Sequence, residues 1–109
     1  MTRTAEIKLT VDLDGESVPT NIRWVASESP EDGPQTAQSM MLSLWDCDKQ
    51  SIAAIDLWTR DTTVDDMNLY FYEAFNKMAD TYLRATRNED VAALIHDFGG
   101  RFGKALGLR

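Results

Sequence analysis

The residues whose type and spacing could do chemistry are mostly carboxylates set at close intervals. Asp12 and Asp14 stand two apart in the run Val11-Asp12-Leu13-Asp14-Gly15. Asp46, Asp48 and Gln50 alternate as oxygen ligands do at the start of a calcium loop. Asp61, Asp65 and Asp66 cluster before and within the start of a helix, where carboxylates can hold a metal or cap the helix. Cys47 is the one cysteine and His96 the one histidine, so an exposed Cys47 could be a reactive thiol, but no cysteine–histidine pairing follows from their places in the chain.

Each of these has a structural reading that outweighs the chemical one. The Val11–Gly15 run resembles the nucleophile loop of haloacid-dehalogenase-type phosphatases, a resemblance that would make Asp12 the attacking residue and Asp14 the acid and base. Those enzymes continue with a threonine or a similar residue, where this chain has Glu16, and they need a doubly wound parallel sheet. Asp-Gly in a hairpin turn explains the run. The calcium pattern fails at its sixth position, Ser51 in place of glycine, and no helices flank it. Capping and helix-dipole stabilisation account for Asp61, Asp65 and Asp66. His96 falls off the apolar stripe of its helix, as a surface residue does. There is no phosphate loop and no zinc spacing. The expectation is a protein that is not an enzyme, with no catalytic, cofactor-binding or metal residues and no cofactor.

The elements that must position these residues are legible from periodicity. Residues 6–13 alternate strictly, with Ile7, Leu9, Val11 and Leu13 on one face. Asp14 to Ser17 form a turn, and a second strand runs from Val18 to Ala26. A loop over 14–17 pairs Leu13 with Val18, Leu9 with Ile22 and Ile7 with Trp24, core against core. A slip by one residue would destroy that match. The other face pairs Lys8 with Arg23 and Thr10 with Asn21 and reads as solvated. Residues 27–35, SESPEDGPQ, are an acidic loop expected to be mobile.

The densest apolar signal is residues 42–61, with Leu44-Trp45 and Leu57-Trp58 on either side of a polar stretch. It reads as a second hairpin. A loop over Cys47 to Gln50 pairs Leu44 with Ala53, Leu42 with Ile55 and Met40 with Leu57, and this face is assigned to the fold. A helix over 36–45 competes, since residues 35–44 include good helix formers. The opposite face sets Trp45 against Ile52 and Met41 against Asp56, with Trp58 beyond. Helices could cover Trp45, Trp58, Met41 and Ile52 as core. Alternatively they bind a partner, since large exposed apolar patches mark interaction sites.

A long helix follows, capped by Thr63 and running to about Arg87, with Val64, Met67, Phe71, Phe75, Met78 and Tyr82 at helical spacing. Asn88 caps a second helix, with Val91, Leu94, Ile95, Phe98, Phe102 and Leu106 as its stripe. Gly99, Gly100 and Gly103 lie inside that stripe. Either the helix frays there, or the glycines allow another element to come close. The expected fold is α+β, a four-stranded antiparallel meander followed by two C-terminal helices packed on one face. This order of elements resembles that of the SecB-type export chaperones. Two helices cover one face of such a sheet, so its other apolar face needs a partner or a second copy of the chain.

The chain has 109 residues, the usual size of one domain, and 43% are hydrophobic, enough to build a core. A net charge of −7 disfavours nucleic acid and anionic membrane surfaces. One cysteine excludes an intrachain disulfide and fits a reducing compartment. The first residues, MTRTAEIKLT, hold no signal-peptide core, and no run reaches the ~18 apolar residues of a membrane span. The expected place is the cytoplasm, without membrane insertion.

LSLWD at 42–46, IDLWTRD at 55–61, VDDM at 64–67 and MADTYLRATRNED at 78–90 together resemble the GldC family of small gliding-motility proteins. The resemblance spans nearly the whole chain as a single GldC-like domain. It implies a bacterial protein of, or related to, the motility machinery, with no known enzymatic activity and no catalytic residues to carry over. The expected function is then a non-enzymatic interaction or adaptor protein acting through an apolar sheet face. Its partners would be motility-machinery components and, as a homo-oligomer, itself. The alternative is a chaperone-like binder of extended polypeptide, and the third reading is a small enzyme.

Overall fold

In a computed structural model that describes residues 2–30 and 33–108, five strands precede two helices. They are β1 (Ile7–Leu13), β2 (Pro19–Ala26), β3 (Gln35–Ala37), β4 (Ser39–Asp46), β5 (Ser51–Trp58), α1 (Val64–Thr86) and α2 (Glu89–Ala105). The class is α+β, but the strands do not form one four-stranded meander. They make a three-stranded sheet, β1-β2-β3, and a two-stranded sheet, β4-β5. The chain divides into two compact units between Thr62 and Thr63, one of strands and one of helices.

The split has a local cause. Residues 35–46 read as loop running into strand, yet the backbone is extended from Gln35 and bends at Gln38. Before the bend, Ala37, Thr36 and Gln35 pair with Ile22, Arg23 and Trp24 of β2. After it, β4 pairs with β5 instead. The carbonyl of Gln38 accepts the Thr59 amide at 2.9 Å and the Thr62 hydroxyl at 3.4 Å, which hands the ladder from one neighbour to the other. The acidic loop is tied at its start, where Ser27 donates its amide to Glu6 and its hydroxyl accepts the Glu6 amide. Its residues 31 and 32 lie outside the described residues.

In the first hairpin the faces are as the alternation requires, but the register is displaced by two residues. Leu9 pairs with Trp24, Val11 with Ile22 and Ile7 with Ala26, and the other face pairs Thr10 with Arg23 and Asp12 with Asn21. The turn is longer than 14–17. Asp14 donates its amide to the Val18 carbonyl, its carboxylate accepts the amides of Glu16 and Val18, and Ser17 takes the left-handed φ of 63°. A bulge between Asp12 and Leu13 adds the second residue of displacement. Ile22, fully buried at 0% exposure, is the centre of this sheet, flanked by Val11 and Ala37. Ile7 and Leu13, at the two ends of β1, are exposed.

The second hairpin has the expected register throughout: Leu44 opposite Ala53, Leu42 opposite Ile55, Met40 opposite Leu57 and Trp45 opposite Ile52. Asp46 turns the chain, its carboxylate accepting the amides of Asp48 and Lys49. Residues 39–46 are strand, not helix.

The helical unit is an antiparallel pair. Thr63 caps α1 in a full capping box with Asp66, and Arg87 ends it in the left-handed conformation. The Asn88 side chain caps α2 by accepting the Val91 amide. Phe75 stands edge-to-face to both Phe98 and Phe102, with ring centroids 5.1 Å apart in each case. Close approach, not fraying, explains two of the glycines. A side chain on Gly99 would meet Cβ of Phe75 at 3.1 Å, and one on Gly103 would run into the ring of Tyr72. Nothing lies within 4 Å of the equivalent position on Gly100. Among the described residues, no helix is long and apolar enough to cross a membrane.

Candidate interaction surface

Asp12, Asp14, Asp46, Asp61 and Asp66, among the carboxylates that suggest chemistry, have structural tasks. Asp12 accepts from Arg23 at 2.8 Å and from Asn21 at 3.4 Å, across the β1–β2 ladder. Asp14 shapes its turn and accepts from Arg60 at 2.9 Å. The Thr59 hydroxyl donates to Asp61 at 2.6 Å and lies 3.0 Å from the Thr62 hydroxyl. Asp66 belongs to the capping box, and Asp65 stands in the first turn of α1. Cys47 is exposed in the hairpin turn, and His96 is exposed on α2. The two aspartates of the Val11–Gly15 run are therefore drawn to different partners.

Thr59 and Arg60 are the residues that periodicity does not single out. Thr59 is buried at the base of the second hairpin. Arg60 donates its amide to the Pro19 carbonyl at 3.0 Å and its guanidinium to Asp14. Together they fasten the second hairpin to the first. The sequence signal for this was an arginine placed just after a strand, beside Asp61, while the partner it meets, Asp14, lies 46 positions away.

The second hairpin presents its apolar side chains outward. Trp45 is 62% exposed, Ile52 63%, Trp58 52% and Met41 40%. Trp45 stands directly across from Ile52, and Trp58 lies across from Ser39. On this face Trp45 pairs with Ile52, and Met41 lies diagonal to Trp58, with Ser43 and Ala54 between the two groups and Asp56 opposite Met41. The opposite face departs from expectation. Leu44 is 59% and Ile55 54% exposed, although their alternation marks them as core. Leu42, Met40 and Leu57 are half-buried. The tryptophan face also carries Ser39, Ser43 and Asp56, whereas the first hairpin gathers Lys8, Thr10, Asp12, Asn21 and Arg23 on one of its faces.

A family model described as gliding motility-associated protein GldC-like matches residues 19–108, which takes in every element except β1. No curated protein and no solved structure matches the chain.

Proposed function

As the chain belongs to the GldC-like family of gliding motility-associated proteins, we propose that it is a non-enzymatic interaction or adaptor protein of that machinery. Its working surface is the strip formed by Trp45, Trp58, Met41 and Ile52, used first for self-association and then for a protein partner. What supports this reading above all is the exposure of two indoles and an isoleucine on one two-stranded sheet. Trp is among the residues most enriched at the energetic centres of interfaces. A two-stranded hairpin is also marginal by itself in water, and gains stability once a face is covered or a strand is added. The commitment of Asp12, Asp14, Asp61 and Asp66 to amides, hydroxyls and guanidinium groups favours contact over catalysis. The same reading places the protein in the cytoplasm, where Cys47 stays a thiol.

The test is a pulldown from the native organism with the wild type and with Trp58→Glu, alongside native mass by light scattering at low micromolar concentration. The expected results are an oligomer that dissociates in the variant and the loss of one specific partner. A monomeric wild type whose captured proteins are the same as the variant's would overturn the proposal. Capture of unfolded polypeptides with little sequence preference would favour the chaperone-like reading, to which the exposed Leu44 and Ile55 also lend support.

A further inference from the structure

We infer that β1 is a self-association edge, which pairs antiparallel with β1 of a second copy about a twofold axis at Thr10. The two three-stranded sheets then join as one six-stranded sheet in the order β3-β2-β1-β1-β2-β3. This contact uses the other sheet from the one that carries Trp45 and Trp58, and it does not depend on them.

The open edge is located by backbone direction. Ser27 donates its amide to the Glu6 carbonyl at 3.0 Å, so Glu6 turns toward the β2 side. Antiparallel ladders alternate, so Lys8, Thr10 and Asp12 also bond inward, to Val25, Arg23 and Asn21. Ile7, Leu9, Val11 and Leu13 then turn their amides and carbonyls away from β2. Among the described residues β1 pairs with β2 alone, so this outer edge is unpaired. The strand is also regular. The bulge at its end lies on β2, where Thr20 is the extra residue between Asn21, opposite Asp12, and Pro19, opposite Leu13. Edges are normally closed by proline, a bulge, shortness or charge. The strand IKLTVDL has seven residues, no proline and no glycine, and its charges are Lys8 and Asp12.

Those two charges identify the occupant. A twofold axis normal to the sheet keeps like faces together, so it passes through a residue position. Thr10 is the midpoint of β1, and with the axis there all seven residues pair. Lys8 stands opposite Asp12 of the second copy, and Asp12 opposite its Lys8. Thr10 meets Thr10, a favourable cross-strand pair. On the other face Leu9 meets Val11 and Ile7 meets Leu13. The two ends of the strand, Ile7 at 75% and Leu13 at 56% exposure, are thereby brought together. Lys8 has no ion pair in its own chain among the described residues, while Asp12 holds Arg23, so in the dimer each Asp12 lies between two cations. Neighbouring registers are worse. An axis at Lys8 or Asp12 sets like charges against each other, and an axis at Leu9 sets Glu6 against Asp12. An axis at Val11 carries Lys8 into the turn at Asp14 and leaves only residues 9–13 paired. Beyond Leu13 in the Thr10 register, Glu6 of the second copy meets Asp14, whose charge Arg60 already balances. Edge charges repel strands in general, but Lys8 and Asp12, placed evenly about the centre, admit a second β1 in one register.

Across the axis Thr10–Thr10 and Lys8–Asp12 are non-hydrogen-bonded antiparallel pairs, with Cα atoms ~4.5 Å apart, within disulfide range. The test uses the full chain carrying Cys47→Ser and Trp58→Glu, which remove the native thiol and the tryptophan contact. In that background Thr10→Cys should yield a covalent dimer on mild oxidation. Lys8→Cys and Asp12→Cys alone should yield about tenfold less, and a mixture of the two should recover it. Without added cysteines, Lys8→Glu and Asp12→Lys should each raise the dimer Kd about tenfold by light scattering, with circular dichroism retained. An equimolar mixture of those two should restore the dimer, because each substituted position then faces its opposite charge. The cysteine variants decide if a charge variant fails to fold. Edge pairing is overturned if Thr10→Cys does not cross-link, or if the mixed charge variants are folded and no more dimeric than either alone. A wild-type oligomer that still dissociates on Trp58→Glu then leaves the tryptophan reading standing. Cross-linking through Thr10→Cys, in a protein whose mass Trp58→Glu does not change, upholds edge pairing and overturns self-association through the tryptophans.

Discussion

The carboxylate of Asp14 is held by three donors: the amides of Val18 and Glu16 and the guanidinium of Arg60. The Val18 amide contributes most to holding it ionised, the Glu16 amide next. Partial burial opposes them, and Arg60 adds to them, so its pKa lies below the ordinary 3.8. A depressed folded-state pKa stabilises the fold when the carboxylate is ionised in both states. That contribution is complete above 3.8, shrinks as pH falls below it, and is gone once the folded-state value is passed. Thermal melts of the wild type and Asp14→Asn should differ at neutral pH and converge in acid. A difference that stays constant with pH would show that the charge plays no part. Asp12, one strand position away from the turn, is drawn instead to Arg23 and Asn21. The two aspartates of the run that resembles a phosphatase nucleophile loop thus have different partners, in a hairpin of antiparallel strands. From the sequence Asp-Gly was legible as a turn, but the arrival of Arg60 from 46 positions away was not.

At the scale of elements, the helical pair separates three glycines that look alike in the chain. Gly103 and Gly99 are buried against Tyr72 and Phe75, while Gly100 faces open space. Gly100→Ala should raise stability by about 0.5–1 kcal/mol, because it lowers the entropy of the unfolded chain at no steric cost. Gly103→Ala should lower it by about 1–3 kcal/mol, since the Tyr72 ring must move. Denaturant unfolding of both variants checks the pair, and equal effects would contradict the packing described. The stripe of apolar residues located α2 correctly, yet the buried line along it is Ala92, Gly99 and Gly103. Phe98 and Leu94 are exposed. Periodicity reports a side of a helix, and small residues on that side decide where the neighbour comes nearest. Both helix starts were legible in full, because a cap is an interaction over three residues.

For the molecule as a whole, the self-association proposed above makes stability a matter of concentration. A chain whose hairpin is completed by a second copy gains stability by mass action, so its melting temperature should rise by on the order of a few °C per tenfold increase in concentration. Differential scanning fluorimetry across a dilution series measures this directly. Trp58→Glu should flatten the dependence, and a wild type that melts at one temperature over the whole series would contradict self-association. The family match covers β2 to α2, and the paired Leu-Trp elements that carried the resemblance sit inside it.

What the sequence determined by itself was short-range: which residues alternate, where helices are capped, and the register of the second hairpin, whose turn Asp46 closes within its own neighbours. Tertiary structure decided the rest. The first hairpin slid by two residues because a bulge and the Asp14 bonds lengthened its turn. The meander broke into two sheets because the Gln38 carbonyl was claimed by Thr59 and Thr62, residues distant in the chain. Alternation separates two faces but does not say what covers either one. That is why Leu44 and Ile55, patterned as core, are as exposed as the tryptophans behind them.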